Sequence, residues 1–275
     1  MKRNVFKNSE LQSVFDTNGY VKVPFLDEVE IEELLAFYHN NDSGLGGGYH
    51  SSMFSESSDY RAKTHAKITS IIEEKVVSIL DQHRIIICTY LVKDPGNMSR
   101  VGLHCDWSLT DESKFQSIIL WVSLCDVDEK NGAMYMLDGS HKHTNSIRGE
   151  GIPVPYDTIP DEFVLENMTL VPTKKGEAVI FDLRVLHCSF PNETNTSRIA
   201  FNVGLIPEEA PSLHYYVDEN TPQGMFDIYK AEGDFYFQNT LGKRPSQELY
   251  LEQKPFYFDG LNPDQLMDKY KSINV

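Results

Sequence analysis

The chain has 275 residues, with 25 Lys and Arg against 41 Asp and Glu, and a formal net charge of −16. That balance argues against binding to nucleic acid or to an anionic membrane surface, since both need clustered cations. With 40% hydrophobic and 24% charged residues, the composition is that of a globular protein large enough to bury a substantial core as one domain.

Residues 8–18 put Leu11, Val14 and Phe15 on one helical face, and Asn18-Gly19 stops that helix. Tyr20 to Pro24 alternates as a strand. Asp27 to His39 returns to helical spacing through Ile31, Leu34, Leu35 and Tyr38, with Asp27 as its N-cap. Residues 40–60 break the pattern. Their glycine-rich run, Gly44 to Gly48, has neither the preceding strand nor the following Lys-Ser/Thr of a phosphate cradle, so it reads as a surface loop or a lid. A long helix follows over 61–82, through Ile68, Ile71, Ile72, Val76 and Val77.

Strands then take over. Arg84 to Val92 is a β-branched run, Asp94-Pro95-Gly96-Asn97 is a turn, and Ser117 to Leu124 is a second buried strand. Asn131-Gly132 is a turn before a strand over 133–137. Residues 142–166, with Pro153, Pro155 and Pro160, read as a long polar loop. Strands over 168–172, 177–182 and 199–206 complete the set. Seven or more short strands with three outer helices predict a mostly β protein with flanking helices and a double-sheet jelly-roll core. The expected layout is one domain over 1–275. Its helical part spans about 8–82, its jelly-roll core about 84–206 and an aromatic-rich C-terminal wrap about 208–275. The wrap packs on the core or serves as a subunit contact, so the expected state is a monomer or a homodimer. Cys88, Cys105, Cys125 and Cys188 form no C-x-x-C pair and read as buried thiols of a reducing compartment. The amino terminus lacks an apolar signal region and no stretch is long enough to span a membrane, so a cytoplasmic protein is expected.

One stretch carries chemistry: Gly102-Leu103-His104-Cys105-Asp106-Trp107. In extended backbone His104 and Asp106 leave the same face, offering an imidazole and a carboxylate to one metal ion, while Cys105 points away. The best third ligand is His187. Two His and one carboxylate with open positions is the arrangement of non-haem Fe(II) oxygenases. A bidentate organic acid could fill two open positions, with its far carboxylate held by a cation. Arg198 lies beyond a loop and opens the return strand, and Ser189 shares the face of His187. His141 and His143 also lie two apart, but follow Gly139-Ser140 and fit a polar loop better. His39, His50, His65, His83 and His214 lie outside any ligand spacing and read as solvated or capping residues. Trp107 either lines a substrate pocket or packs beside the strand.

Taken together, His104-Cys105-Asp106-Trp107, the run Leu120 to Gly132, Leu137-Asp138-Gly139-Ser140-His141, His187-Cys188-Ser189 and Arg198 resemble the phytanoyl-CoA dioxygenase family of Fe(II)/2-oxoglutarate oxygenases. The likeness runs over roughly residues 10–206 in order, departing at Asp138, where the family usually has Pro. It implies a double-stranded β-helix core of the jelly-roll, cupin-like type. It implies Fe(II) held by His104, Asp106 and His187, and 2-oxoglutarate held by Arg198 and Ser189 beside Trp121. O₂ would be the oxidant, and a small metabolite would be hydroxylated with release of succinate and CO₂. Asp106 also sets the resemblance apart from halogenases, which carry a small residue there. Thr89, Tyr90 and Lys93 are candidates for further 2-oxoglutarate contacts. Two other readings stand beside this one: a cupin-like metal dioxygenase that uses no 2-oxoglutarate, and an inactive ligand-binding member of the fold. Arg61, Lys63, Lys67, Arg100, Lys142 and Arg148 are too scattered to form a rim for a CoA thioester, and the acidic balance favours a neutral or cationic small molecule.

Overall fold

The computed structural model describes residues 3–41, 43–153 and 155–271. Asn8 caps α1 (Ser9–Asn18) by accepting from the amides of Glu10 and Leu11. Gly19 ends the helix in the left-handed region, at φ 89°. A Cβ there would lie 2.4 Å from His141 Nδ1 and 2.5 Å from Val185 Cγ2. The turn therefore requires glycine for its backbone and again for its packing. β1 (Tyr20–Pro24) follows, and Asp27 opens α2 (Glu28–Asn40) in a reciprocal capping box with Glu30.

The chain continues through β2 (Tyr49–Ser51), α3 (Ser58–Ile79), β3 (His83–Lys93), β4 (Val101–His104), β5 (Ile118–Ser123) and β6 (Met134–Met136). Then come α4 (Asp161–Asn167), β7 (Thr169–Val171), β8 (Glu177–Asp182), β9 (His187–Ser189) and β10 (Arg198–Pro207). Last are β11 (Leu213–Tyr216), β12 (Met225–Lys230), α5 (Phe235–Gln238), β13 (Tyr250–Pro255) and α6 (Pro263–Lys271). Antiparallel pairing builds a six-stranded sheet in the order β1-β8-β5-β10-β3-β2 and a four-stranded sheet in the order β4-β9-β6-β7. This is the mostly β jelly roll with flanking helices that the strand count predicts.

The larger sheet is covered on both faces, which is why its strands read as near-continuous apolar runs. Phe15, Leu34, Ile68 and Ile72 from the helices meet Leu120, Ile180 and Phe201 on one face. On the other, Trp121, Val179 and Phe181 meet Met134 and Met136 of the smaller sheet. Each fully buried Leu, Ile or Phe contributes roughly 1.5–3 kcal/mol, so these two layers dominate the stability.

Three regions differ from the expected reading. β2 emerges inside the region read as a loop, because three residues pair with β3 and are too few to show alternation. α4 forms within the supposed loop 142–166, with Phe163 and Val164 buried. β11, β12 and β13 make a separate three-stranded sheet in the region read as an aromatic wrap. Among the described residues no helix is long and apolar enough to cross a membrane.

Gly19→Ala should lower stability by about 3 kcal/mol, through left-handed strain plus displacement of His141. Urea unfolding checks this; a loss under about 0.5 kcal/mol would mean that the turn relaxes freely.

Candidate metal centre

β4 and β9 are short strands that place His104 directly opposite His187. Their ring centroids lie 4.3 Å apart. Each Nδ1 meets the carbonyl two residues earlier, Gly102 O at 2.8 Å and Val185 O at 3.0 Å. A carbonyl only accepts, so each Nδ1 carries the proton and each Nε2 keeps its lone pair. Both Nε2 atoms turn toward Asp106, at 3.6 Å from Oδ1 for His104 and 4.0 Å from Oδ2 for His187. One donor atom from each residue lies within 4.8 Å of the other two. Backbone acceptors behind metal-binding imidazoles fix their tautomer and aim in this way. Among the described residues, His141 and His143 join no such cluster.

Strand alternation separates these residues from their neighbours. Cys105 and Cys188 pack with Leu103, Tyr135, Leu137 and Leu186, and the Cys105 thiol donates to Arg184 O. Electrostatics favours a cation among the three. Burial opposes charge on Asp106, yet its close approach to His104, and then the charge of both imidazoles, hold its pKa below the ordinary range. Burial also opposes charge on His104, but the Asp106 carboxylate outweighs it and the pKa rises. His187 is pushed down to about 4 by burial and by His104. Asp106 and His187 are thus ready as ligands at neutral pH, and His104 is where a proton competes.

Arg198, Ser189 and Trp121 line the same cavity as the three, a space of about 450 Å³ with its open mouth included. Arg198 is 4% exposed, and its Nε and Nη1 have no hydrogen-bond partner. Its guanidinium lies over the Trp121 ring, 5.4 Å from the centroid. Burial pushes its pKa down to about 10. A buried charge without a partner is expensive, and a ligand carboxylate would answer it. Lys93 pairs with Arg198 across β3 and β10. Burial, then the charge of Arg198, lower its pKa to about 7. Its ammonium donates to Ser99 O, Ser189 O and Phe190 O, so it braces β9 from behind.

The other candidates divide by face. Thr89 lies in the wall of an adjoining cavity. Tyr90 faces the helices, where its hydroxyl donates to Leu34 O, so it is not a site residue. Lys93 is spent on three carbonyls rather than open to the cavity. Trp107 lines the adjoining cavity and packs edge-on to His214. His83 and His214 are buried rather than solvated; His214 lies 3.3 Å from Glu150 and against Phe235 and Tyr236. The partners of His214 come from elements too distant in sequence to be foreseen. Tyr49 and Asn202 were missed, and both line the two cavities. Asn202 had a signal: it is four residues past Arg198 on one strand and shares its face.

The family model described as phytanoyl-CoA dioxygenase (PhyH) matches residues 15–200. Phytanoyl-CoA dioxygenase 1 of Oryza sativa subsp. japonica is 28% identical over 128 residues, covering 46% of this chain and 45% of that protein. The chain spans about half the length of the curated relatives it matches. Among solved structures, the epimerase SnoN in complex with Fe3+, alpha ketoglutarate and nogalamycin RO has a TM-score of 0.53 at 23% identity, over 74% of this chain and 85% of that one. HygX from Streptomyces hygroscopicus with nickel and 2-oxoglutarate bound has a TM-score of 0.54 at 16% identity, over 74% and 88%. At such identities these structures establish a shared fold.

Because His104 titrates above the usual imidazole value of about 6.5, protons should compete with a divalent cation from above that pH downward. Anaerobic calorimetry with Fe(II) should show affinity falling about tenfold per pH unit on the acid side. An affinity flat between about pH 8 and 6 would remove His104 from the ligand set.

Proposed function

The chain belongs to the phytanoyl-CoA dioxygenase family, and we propose that it is an Fe(II)/2-oxoglutarate-dependent oxygenase that hydroxylates a C–H bond of a small metabolite. The observation that carries this reading is the buried, unpartnered guanidinium of Arg198 in the same cavity as His104, Asp106 and His187. A metal site alone needs no such cation. A metal site that shares its cavity with a cosubstrate bearing a second carboxylate does.

In this reading His104 and His187 present Nε2, and Asp106 a carboxylate oxygen, to Fe(II). Arg198 and Ser189 receive the far carboxylate of 2-oxoglutarate, and Trp121 flanks it. Bound together, iron and 2-oxoglutarate supply an O₂-driven oxidation that yields succinate and CO₂. The protein contributes position and exclusion. Backbone acceptors hold both imidazoles in one tautomer, the ladder fixes their separation, and apolar walls keep bulk water from the reacting centre. A dioxygenase that used no 2-oxoglutarate would leave the Arg198 charge unanswered, and so would an idle binder of a neutral ligand.

Adding Fe(II) and then 2-oxoglutarate without oxygen should produce the weak visible charge-transfer band of a chelated 2-oxo acid. Iron binding without the band would sink the 2-oxoglutarate reading. Asp106→Ala should abolish the band. Arg198→Ala should raise the 2-oxoglutarate KM by roughly 30- to 100-fold, the value of a charge-assisted paired contact. An unchanged KM would remove Arg198 from that role.

A further inference from the structure

The cavity that adjoins the metal centre has a chemistry of its own. It measures about 990 Å³ with its mouth included and shares His104 and Asp106 with the smaller one. Apart from those two, none of the described residues that line it carries a charged side chain. Met53, Phe54, Ile87, Trp107, Leu109 and Tyr236 are among the apolar and aromatic side chains that line it.

The basic residues that might have served an anionic substrate are engaged elsewhere. Arg61 donates to the carbonyls of Ser55, Tyr236 and Phe237. Arg148 binds the Glu112 carboxylate and Asp106 O, and Arg100 binds Asp161. Lys63 pairs with Asp59, Lys67 with Glu33, and Lys142 donates to Thr17 O. A charged substrate group would lose its hydration here with no counter-charge to replace it.

One polar device interrupts the apolar wall. The Ser51 hydroxyl donates to Thr89 Oγ1 at 3.3 Å, and the Thr89 hydroxyl donates to Asn202 Oδ1 at 2.7 Å. Asn202 stands between Thr89 and Trp121 on the neighbouring strands. The donor chain fixes its carbonyl toward Thr89 and leaves its amide NH₂ as a donor at the junction of the two cavities.

We propose that this cavity takes an uncharged, largely apolar small molecule that bears an oxygen acceptor, and that Asn202 Nδ2 donates a hydrogen bond to that oxygen. The inference rests on the oxygenase reading, because it takes the cavity beside the metal centre as the substrate site. Asn202 is then a specificity residue: it orients the substrate so that one carbon faces the metal. The same walls offer no counter-charge to the phosphates of an acyl-CoA thioester.

The test uses a compact cage in several electrical forms. Binding of 2-adamantanone, 2-methyleneadamantane, 1-adamantanecarboxylate, 1-adamantanamine and octanoyl-CoA to the anaerobic Fe(II)/2-oxoglutarate protein is measured by calorimetry. The ketone should bind at least about tenfold tighter than either ion, than the acyl-CoA and than the isosteric alkene. Asn202→Ala should erase the preference of ketone over alkene while keeping the alkene's affinity, which a merely structural role would not do. Tighter binding of an ion or of the acyl-CoA, a preference that survives Asn202→Ala, or no binding of the ketone at millimolar concentration would each overturn the proposal. The charge-transfer band in the same samples reports separately on the oxygenase reading: its absence beside selective ketone binding would sink that reading and, with it, the assignment of the cavity as a substrate site. Its presence without ketone preference would sink the cavity proposal alone.

Discussion

His104 and His187 face each other across a ladder of two very short strands, and the geometry of the candidate metal centre depends on that register. A slip of one residue would turn both imidazoles toward the apolar layer in which Cys105 and Cys188 pack. Two such short strands cannot hold their own alignment. They are held by β6, which pairs with β9, by Lys93, which ties the carbonyls of Ser189 and Phe190 to the larger sheet, and by the wide packing beneath. The precision of the site is thus borrowed from the large sheet rather than made locally.

The large sheet divides its two faces between stability and chemistry. On β10, Ile199, Phe201 and Val203 go to the helices, while Arg198, Ala200, Asn202 and Gly204 go to the other side. The first set is bulky, and the second is small or polar. Small residues on an inner face leave space between the sheets, and the space is where the cavities lie. The long strand also spans both cavities, with Arg198 at one end and Asn202 at the junction. A single rigid element therefore sets the distance between the buried cation and the donor chain.

Much of this was legible in the sequence for a physical reason: period-two alternation converts sequence spacing into shared faces. His104 with Asp106, and His187 with Ser189, could be read that way, and the order of the core strands followed from apolar runs and turns. The same rule, applied to β3, would have set Tyr90 aside, because it alternates with Thr89 and Leu91 and must face the helices. Tyr49 was beyond reach, since a three-residue strand after a glycine run carries no pattern. β11 to β13 were hidden too. Their aromatic residues are buried on several sides, by the sheet and by one another, so no alternation survives. His214 and Glu150 illustrate the general limit, because a pair formed across the fold leaves no trace in spacing.

Arg198 and Lys93 lie side by side in the interior, and among the described residues no carboxylate forms an ion pair with either. The native fold therefore carries a standing electrostatic burden, which an anion in the cavity would relieve. Such a ligand stabilises the native state by mass action, by about 2.7 kcal/mol at a concentration one hundred times its Kd. Inside a cell that margin is comparable with the differences that decide whether a chain survives proteolytic surveillance. If a small organic acid is that ligand, the amount of protein present would track its supply, so that a metabolite would set the protein's lifetime as well as its occupancy.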